Sequence, residues 1–133
     1  MRMGSRYLVD ASALYPLILK LQERIILEKD RFSILDLTVY EVGNVLWKEY
    51  RRGRIKDLES VVRLFRKVLN ELPKLSIKDF GGVLKIAVED DLTFYDAAYL
   101  HLSKVNNLEL VTEDQDILSK YSKAIRTSQL KIQ

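Results

Sequence analysis

A chain of 133 residues is long enough for one domain with a substantial core, expected to span 1–133, and too short for two. At 47% apolar and 31% charged residues it describes an ordinary folded globule, and its lack of cysteine excludes a disulfide scaffold, thiolate zinc and a cysteine nucleophile while fitting a reducing, cytoplasmic compartment. His101 is the single histidine, so His-rich metal centres and a Ser-His-Asp arrangement are excluded as well, and any metal site must be built from oxygen. No apolar run reaches the roughly 18 residues of a membrane span. Met1 to Arg6 are too few before the first apolar run to hold a signal peptide. The formal charge of +3 is a mild bias toward a polyanionic partner.

Tyr7-Leu8-Val9 reads as a short buried strand that ends on Asp10 and the small residues Ala11 and Ser12. From Ser12 to Glu28 apolar residues recur at three and four, which predicts one helix, with Pro16 tolerable in its first turn. Residues 32–37 predict a second strand. Thr38 then reads as an N-cap with Glu41 at N3, opening a helix that stops at Gly53. A helix from Lys56 or Asp57 to Leu72 carries a wide apolar face and precedes Pro73. A shorter helix starts at Ser76 or Asp79 and runs to Val88, although Gly81-Gly82 weakens it. Thr93 and Asp96 repeat the N-cap and N3 pattern for a helix to Val105. Leu108 to Thr112 is a strand, Glu113 to Asp116 its following loop, and a helical turn and a weak strand near Ala124–Arg126 finish the chain. Strands alternating with helices imply an α/β fold with a central parallel sheet covered by helices on both faces.

Asp10 and Asp114 each follow a predicted strand, and Glu41 and Asp96 each lie in the first turn of a predicted helix. Each alone has a plain structural role as a cap or turn acid. Together, regular crossovers point all four toward the carboxyl edge of the sheet, where ligands bind in parallel sheets. Converging carboxylates repel and raise one another's pKa unless a cation intervenes, and Mg²⁺, with Mn²⁺ as substitute, suits an all-oxygen set. Such a centre fits phosphodiester hydrolysis by a metal-activated water, with one ion or two. Ser12 and Thr112 lie beside the acids and can hold a water or a phosphate oxygen; Asp116 reads equally as an outer ligand or a solvated loop acid.

The chain resembles the PIN-domain ribonucleases, most closely the small single-domain toxins of the VapC type. Leu8-Val9-Asp10-Ala11-Ser12-Ala13-Leu14 is similar to the family's first motif, Val39 to Leu46 to the second, Thr93 to Tyr99 to the third, and Leu110 to Asp116 to the fourth. The resemblance covers essentially the whole chain. It implies a three-layer α/β/α domain and a Mg²⁺-dependent endoribonuclease leaving 5′-phosphate ends. It assigns catalytic and metal-side roles to Asp10, Glu41, Asp96 and Asp114, an acidic position to Asp116, and supporting polar roles to Asn44 and Thr112. It further implies a small antitoxin partner and a homodimer.

Arg51, Arg52 and Arg54 form a basic cluster that reads as an RNA-backbone contact or as a helix cap with a solvated face. Trp47 reads as a core or interface residue in preference to a base-stacking one, and the face from Leu58 to Leu72 is wide enough for both the core and a partner. The alternatives within the same reading are an RNA-processing or single-strand nuclease with the same acids, and a catalytically silent binding module that keeps the fold.

Overall fold

The structure, a computed structural model, describes residues 6–130; the expectation placed on the residues before Arg6 lies outside the described residues. Five strands form one parallel sheet: β1 (Tyr7–Val9), β2 (Phe32–Leu35), β3 (Lys74–Leu75), β4 (Glu109–Val111) and β5 (Ala124–Ile125), in the order β3-β2-β1-β4-β5. The chain therefore builds outward from the central β1 to one side, then returns to build the other side from β4. The crevice of such a sheet opens at that reversal, between the carboxyl ends of β1 and β4. Their register pairs Val9 with Val111, so Asp10 and Thr112 leave the sheet side by side.

Six helices cover the sheet: α1 (Ala11–Leu21), α2 (Asp36–Arg51), α3 (Leu58–Glu71), α4 (Phe80–Asp90), α5 (Phe94–Val105) and α6 (Gln115–Lys120). Strand alternation divides the core in two. Tyr7, Val9, Ile34 and Val111 face one layer, with Leu14 and Ile18 of α1, Val42 of α2 and Phe65 and Val68 of α3. Leu8, Leu35 and Leu110 face the other, with Val83 of α4, Tyr99 and Leu100 of α5 and Ile117 of α6. The expected α/β/α layering is what the chain adopts. Among the described residues no helix is long and apolar enough to cross a membrane.

Several local expectations are corrected. The helix expected to reach Glu28 ends at Leu21, because Gln22 takes a left-handed φ of 54° and the chain continues as a 3₁₀ turn over Gln22–Glu28. Pro16 stands in the second turn of α1, where it forfeits a backbone hydrogen bond, and not in the first. β2 stops at Leu35 and α2 begins at Asp36, two residues before the expected cap at Thr38. The reason is local: the Thr38 hydroxyl accepts the Leu35 N–H at 2.9 Å, so it serves the helix start from N3. Glu41 thereby moves from N3 into the second turn. β3 was not anticipated, since two residues next to Pro73 leave no alternation to read. The remaining signals hold: Asp57, Asp79 and Thr93 accept backbone N–H groups at the starts of α3, α4 and α5, and Gly53 takes φ 74° just past α2.

Leu110 lies at the centre of β4 and is wholly buried, whereas Leu27 is 82% exposed. Leu110→Ala is expected to cost about 2–5 kcal/mol by urea unfolding, and Leu27→Ala less than about 0.5 kcal/mol.

Candidate active site

Asp10 is the first residue beyond β1 and also the N-cap of α1, and only 6% of it is exposed. Its Oδ1 accepts the Ser12 hydroxyl at 2.7 Å and the Ala13 N–H at 3.1 Å; its Oδ2 accepts the Thr112 hydroxyl at 2.5 Å. The two hydroxyls in turn accept from the loop after β4. Asp114 N–H donates to Thr112 Oγ1 at 3.0 Å, and Glu113 N–H donates to Ser12 Oγ at 3.0 Å. Two parallel relays thus run from the β4 loop through a hydroxyl to each oxygen of Asp10. With a lone pair still open on Oδ2, Asp10 is clamped without being saturated.

The other acids reach the same edge from three elements. Asp96 sits at N3 of α5, its N–H bonded to the Thr93 side chain at 3.1 Å. Asp114 is the N-cap of α6, and its Oδ1 accepts the N–H groups of Asp116 and Ile117 at 2.8 and 3.3 Å. Glu41 projects from the second turn of α2, where its Oε1 accepts the phenol of Tyr99 at 2.7 Å. Capping and convergence coincide, so the plain structural roles of Asp10 and Asp114 are real and compatible with a site. Asp116 is exposed at the start of α6, yet close enough for its charge to act on Asp96. Asn44 is exposed one turn beyond Glu41 and makes no side-chain hydrogen bond among the described residues.

The basic cluster lies elsewhere. Arg51 is about 15 Å beyond Glu41 along α2. Arg52 and Arg54 pair with Glu49 at 3.4 and 3.2 Å, and the Arg51 guanidinium stacks over Trp47 at 5.1 Å. Trp47 itself is 54% exposed, so it is no core residue. The contacts of Tyr99 and Glu113 are not legible in the sequence. Glu113 accepts the Thr127 N–H and hydroxyl at 2.8 and 2.7 Å and pairs with Arg126 at 3.3 Å, which ties the β4 loop to the chain's last turn.

Electrostatics separates the clustered acids from Glu113. Burial is the largest influence on Glu113 and opposes its ionisation, but Thr127 and Arg126 outweigh it and hold the carboxyl below its usual range. Asp10, Glu41, Asp96 and Asp114 have no cationic partner among the described residues. Burial pushes Asp10 upward, the Thr112, Ser12 and Ala13 hydrogen bonds pull against it, and Glu41 pushes it further. Burial raises Glu41 as well, against the Tyr99 hydrogen bond and together with the charge of Asp96. Asp96 is raised by burial, then by Asp114 and Asp10. The acids therefore share one field. Among the described residues they form an open cluster, with no three of them closed into a ready-made cage. An open all-oxygen set without a cation of its own fits a hard divalent ion that keeps several waters.

Because the Asp10, Glu41 and Asp96 carboxyls bind protons more tightly folded than unfolded, their contribution to stability is present at acid pH and is lost as pH rises through the raised folded-state values. In chelator, Asp10→Asn should melt about 2–4 °C above the wild type at pH 8 and close to it at pH 4. Paired thermal melts across that range check this, and a difference that does not change with pH contradicts it.

The PIN domain family model matches residues 7–124. The chain is 44% identical to Exonuclease VapC9 of Pyrobaculum aerophilum over 123 residues, covering 92% of this chain and 91% of that protein. It is 30% identical to Ribonuclease VapC3 of the same organism over 125 residues, covering 87% and 95%. The crystal structure of PAE2754 from Pyrobaculum aerophilum superposes with a TM-score of 0.83 at 43% identity, covering 95% of this chain and 93% of that one. A chain of a toxin–antitoxin complex from Klebsiella pneumoniae, 16% identical with a TM-score of 0.58 over 90% and 95% of the two chains, shares the fold. A family match over nearly the whole chain, together with relatives of this identity and coverage, makes the chain a member of the PIN domain family.

Proposed function

We propose that this chain is a single-domain, divalent-metal-dependent nuclease that hydrolyses RNA, with Asp10, Glu41, Asp96 and Asp114 as the acids that hold Mg²⁺ or Mn²⁺. The observation that carries the reading is that four carboxylates act on one another beside β1 with no basic partner among the described residues. Capping accounts for Asp10 and Asp114 but not for Glu41, which caps no helix and still lies in the field of Asp10 and Asp96. When bound, the ion supplies an acidified water and offsets charge on the phosphate oxygens.

The chain's own residues do the rest. Asp10 is the fixed anchor, held by Ser12 and Thr112 in an orientation that neither ion nor substrate has to induce. Asp96 and Asp114 each stand at a helix start, Asp114 held there by the Asp116 and Ile117 N–H groups, and Asp116 serves in this reading as an outer acid. The Ser12 and Thr112 hydroxyls are engaged in holding Asp10, and the nucleophile in this reading is water. Arg51, Arg52 and Arg54 would meet an RNA backbone only beyond the cleaved bond, with Arg51 the least committed to a protein carboxylate.

The two Pyrobaculum relatives are named VapC, and with the resemblance to VapC-type toxins this supports a toxin with a small antitoxin partner; the lack of cysteine fits a cytoplasmic setting. Exposed Tyr40, Trp47 and Tyr50 on α2 and Leu58 and Val62 on α3 offer apolar surface for such a partner or for a second copy in a homodimer. A second reading, exonucleolytic cutting, is favoured by the name of the 44% identical relative.

Linear and circularised single-stranded RNAs and a single-stranded DNA, each incubated with Mg²⁺, Mn²⁺ or chelator, test these readings together. The endonuclease reading expects both RNAs to be cut with Mg²⁺, and Asp10→Asn or chelator to reduce the rate by about 100-fold or more. Cutting of the linear RNA alone, from an end, would establish the exonuclease. Failure to cut RNA or single-stranded DNA with either ion would leave the non-catalytic binding module.

A further inference from the structure

Tyr99 is a phenol sealed in the core at 1% exposure, and Thr38 beside it is wholly buried. Their oxygens stand 2.6 Å apart, the Leu35 N–H donates to Thr38 Oγ1 at 2.9 Å, and Tyr99 donates to Glu41 Oε1 at 2.7 Å. An ionised carboxylate only accepts, so the phenol's single proton goes to Glu41. The proton between the two hydroxyls must then come from Thr38, which leaves Thr38 Oγ1 to accept from Leu35. Every polar atom in the chain of bonds is satisfied, and the bonds run in one direction, from the end of β2 through α2 and α5 to Glu41.

Packing alone does not call for this arrangement. A phenylalanine would fill the space of the ring, and replacing both hydroxyls by apolar groups of the same shape is often close to neutral for stability. The chain of bonds instead ends on the one acid of the four that lies beyond the first turn of its helix. Asp10 and Asp114 are N-caps and Asp96 sits at N3, each close to a helix start. Glu41 lies a turn inside α2 on a longer side chain, and among the described residues its Oε2 accepts no hydrogen bond.

We propose that Tyr99, backed by Thr38, is a positioning residue that fixes the Glu41 carboxylate toward the acid cluster by holding Oε1 and leaving Oε2 free. This rests on the reading of Glu41 as a metal-side acid. The relay gives a long side chain on α2 an anchor of the kind that backbone N–H groups give Asp10 and Asp114.

Calorimetric titration of the metal-free protein with Mn²⁺ tests it. Tyr99→Phe keeps the ring and should weaken Mn²⁺ binding about tenfold. Thr38→Val should shift affinity in the same direction, and Thr38→Ser should restore it. Because Tyr99 acts through Glu41, the double variant Tyr99→Phe/Glu41→Gln should bind no more weakly than Glu41→Gln alone. Wild-type affinity in Tyr99→Phe, with Glu41→Gln weakened, would overturn the positioning role and leave the metal reading intact. Additive losses in the double variant would likewise overturn it, by showing that Tyr99 acts independently of Glu41. A wild-type protein that binds no Mn²⁺ would overturn the metal reading itself, and this inference with it. Should Tyr99→Phe fail to fold, the Thr38 pair decides the same question.

Discussion

Placing Asp10 at the end of the central strand, nearly sealed from water and within the field of Glu41, costs desolvation and repulsion that no basic side chain among the described residues offsets. Much of the surrounding structure answers that cost. The parallel pairing of β1 with β4 delivers Thr112 to one carboxylate oxygen, and the first turn of α1 delivers Ser12 and the Ala13 N–H to the other. Those hydrogen bonds lower the charge's cost without removing the charge. An arginine would have removed the cost more completely, as Arg126 helps to do for Glu113 nearby. A carboxylate kept ionisable, oriented and unpaired is stable on its own terms only at acid pH, and at neutral pH it invites a cation.

The topology supports this economy. A sheet that grows first to one side of β1 and then to the other leaves its crevice at β1 and β4, and the helices that begin at that edge aim their starts toward it. Helix starts favour acids for their own reasons, through orphan N–H groups and the dipole. Asp10, Asp96 and Asp114 therefore serve local structure and the cluster together. Glu41 departs from the pattern, and its orientation is supplied by the buried Thr38 and Tyr99 hydroxyls.

The four acids were legible in the sequence because each sits beside a strong local signal: a strand end for Asp10 and Asp114, and a Thr-x-x-acid pattern for Asp96 and Glu41. That pattern was right for Thr93 and misread for Thr38, where the same two residue types occur with the helix already begun. The difference lies in Asp36 and Leu37 continuing into the helix, with the Thr38 hydroxyl taking the Leu35 N–H from N3. The layering was legible from alternating strands and helices, whereas β3 was not, since two residues carry no period. Tyr99 escaped notice because its hydroxyl matters only once α5 is packed against α2. The arginines looked like one basic patch, and only the fold shows Arg52 and Arg54 engaged by Glu49, with Arg51 lying on Trp47.

The central claim is that these acids hold one shared divalent centre. A crystal structure of the wild-type protein grown with Mn²⁺, with data collected at a wavelength where manganese scatters anomalously, tests it most directly. The account predicts an anomalous peak about 2.0–2.2 Å from an Asp10 oxygen, with Glu41, Asp96 or Asp114 supplying a second ligand directly or through a water. A peak bound only to other carboxylates, or an acid cluster that stays free of manganese at millimolar concentration, would contradict it.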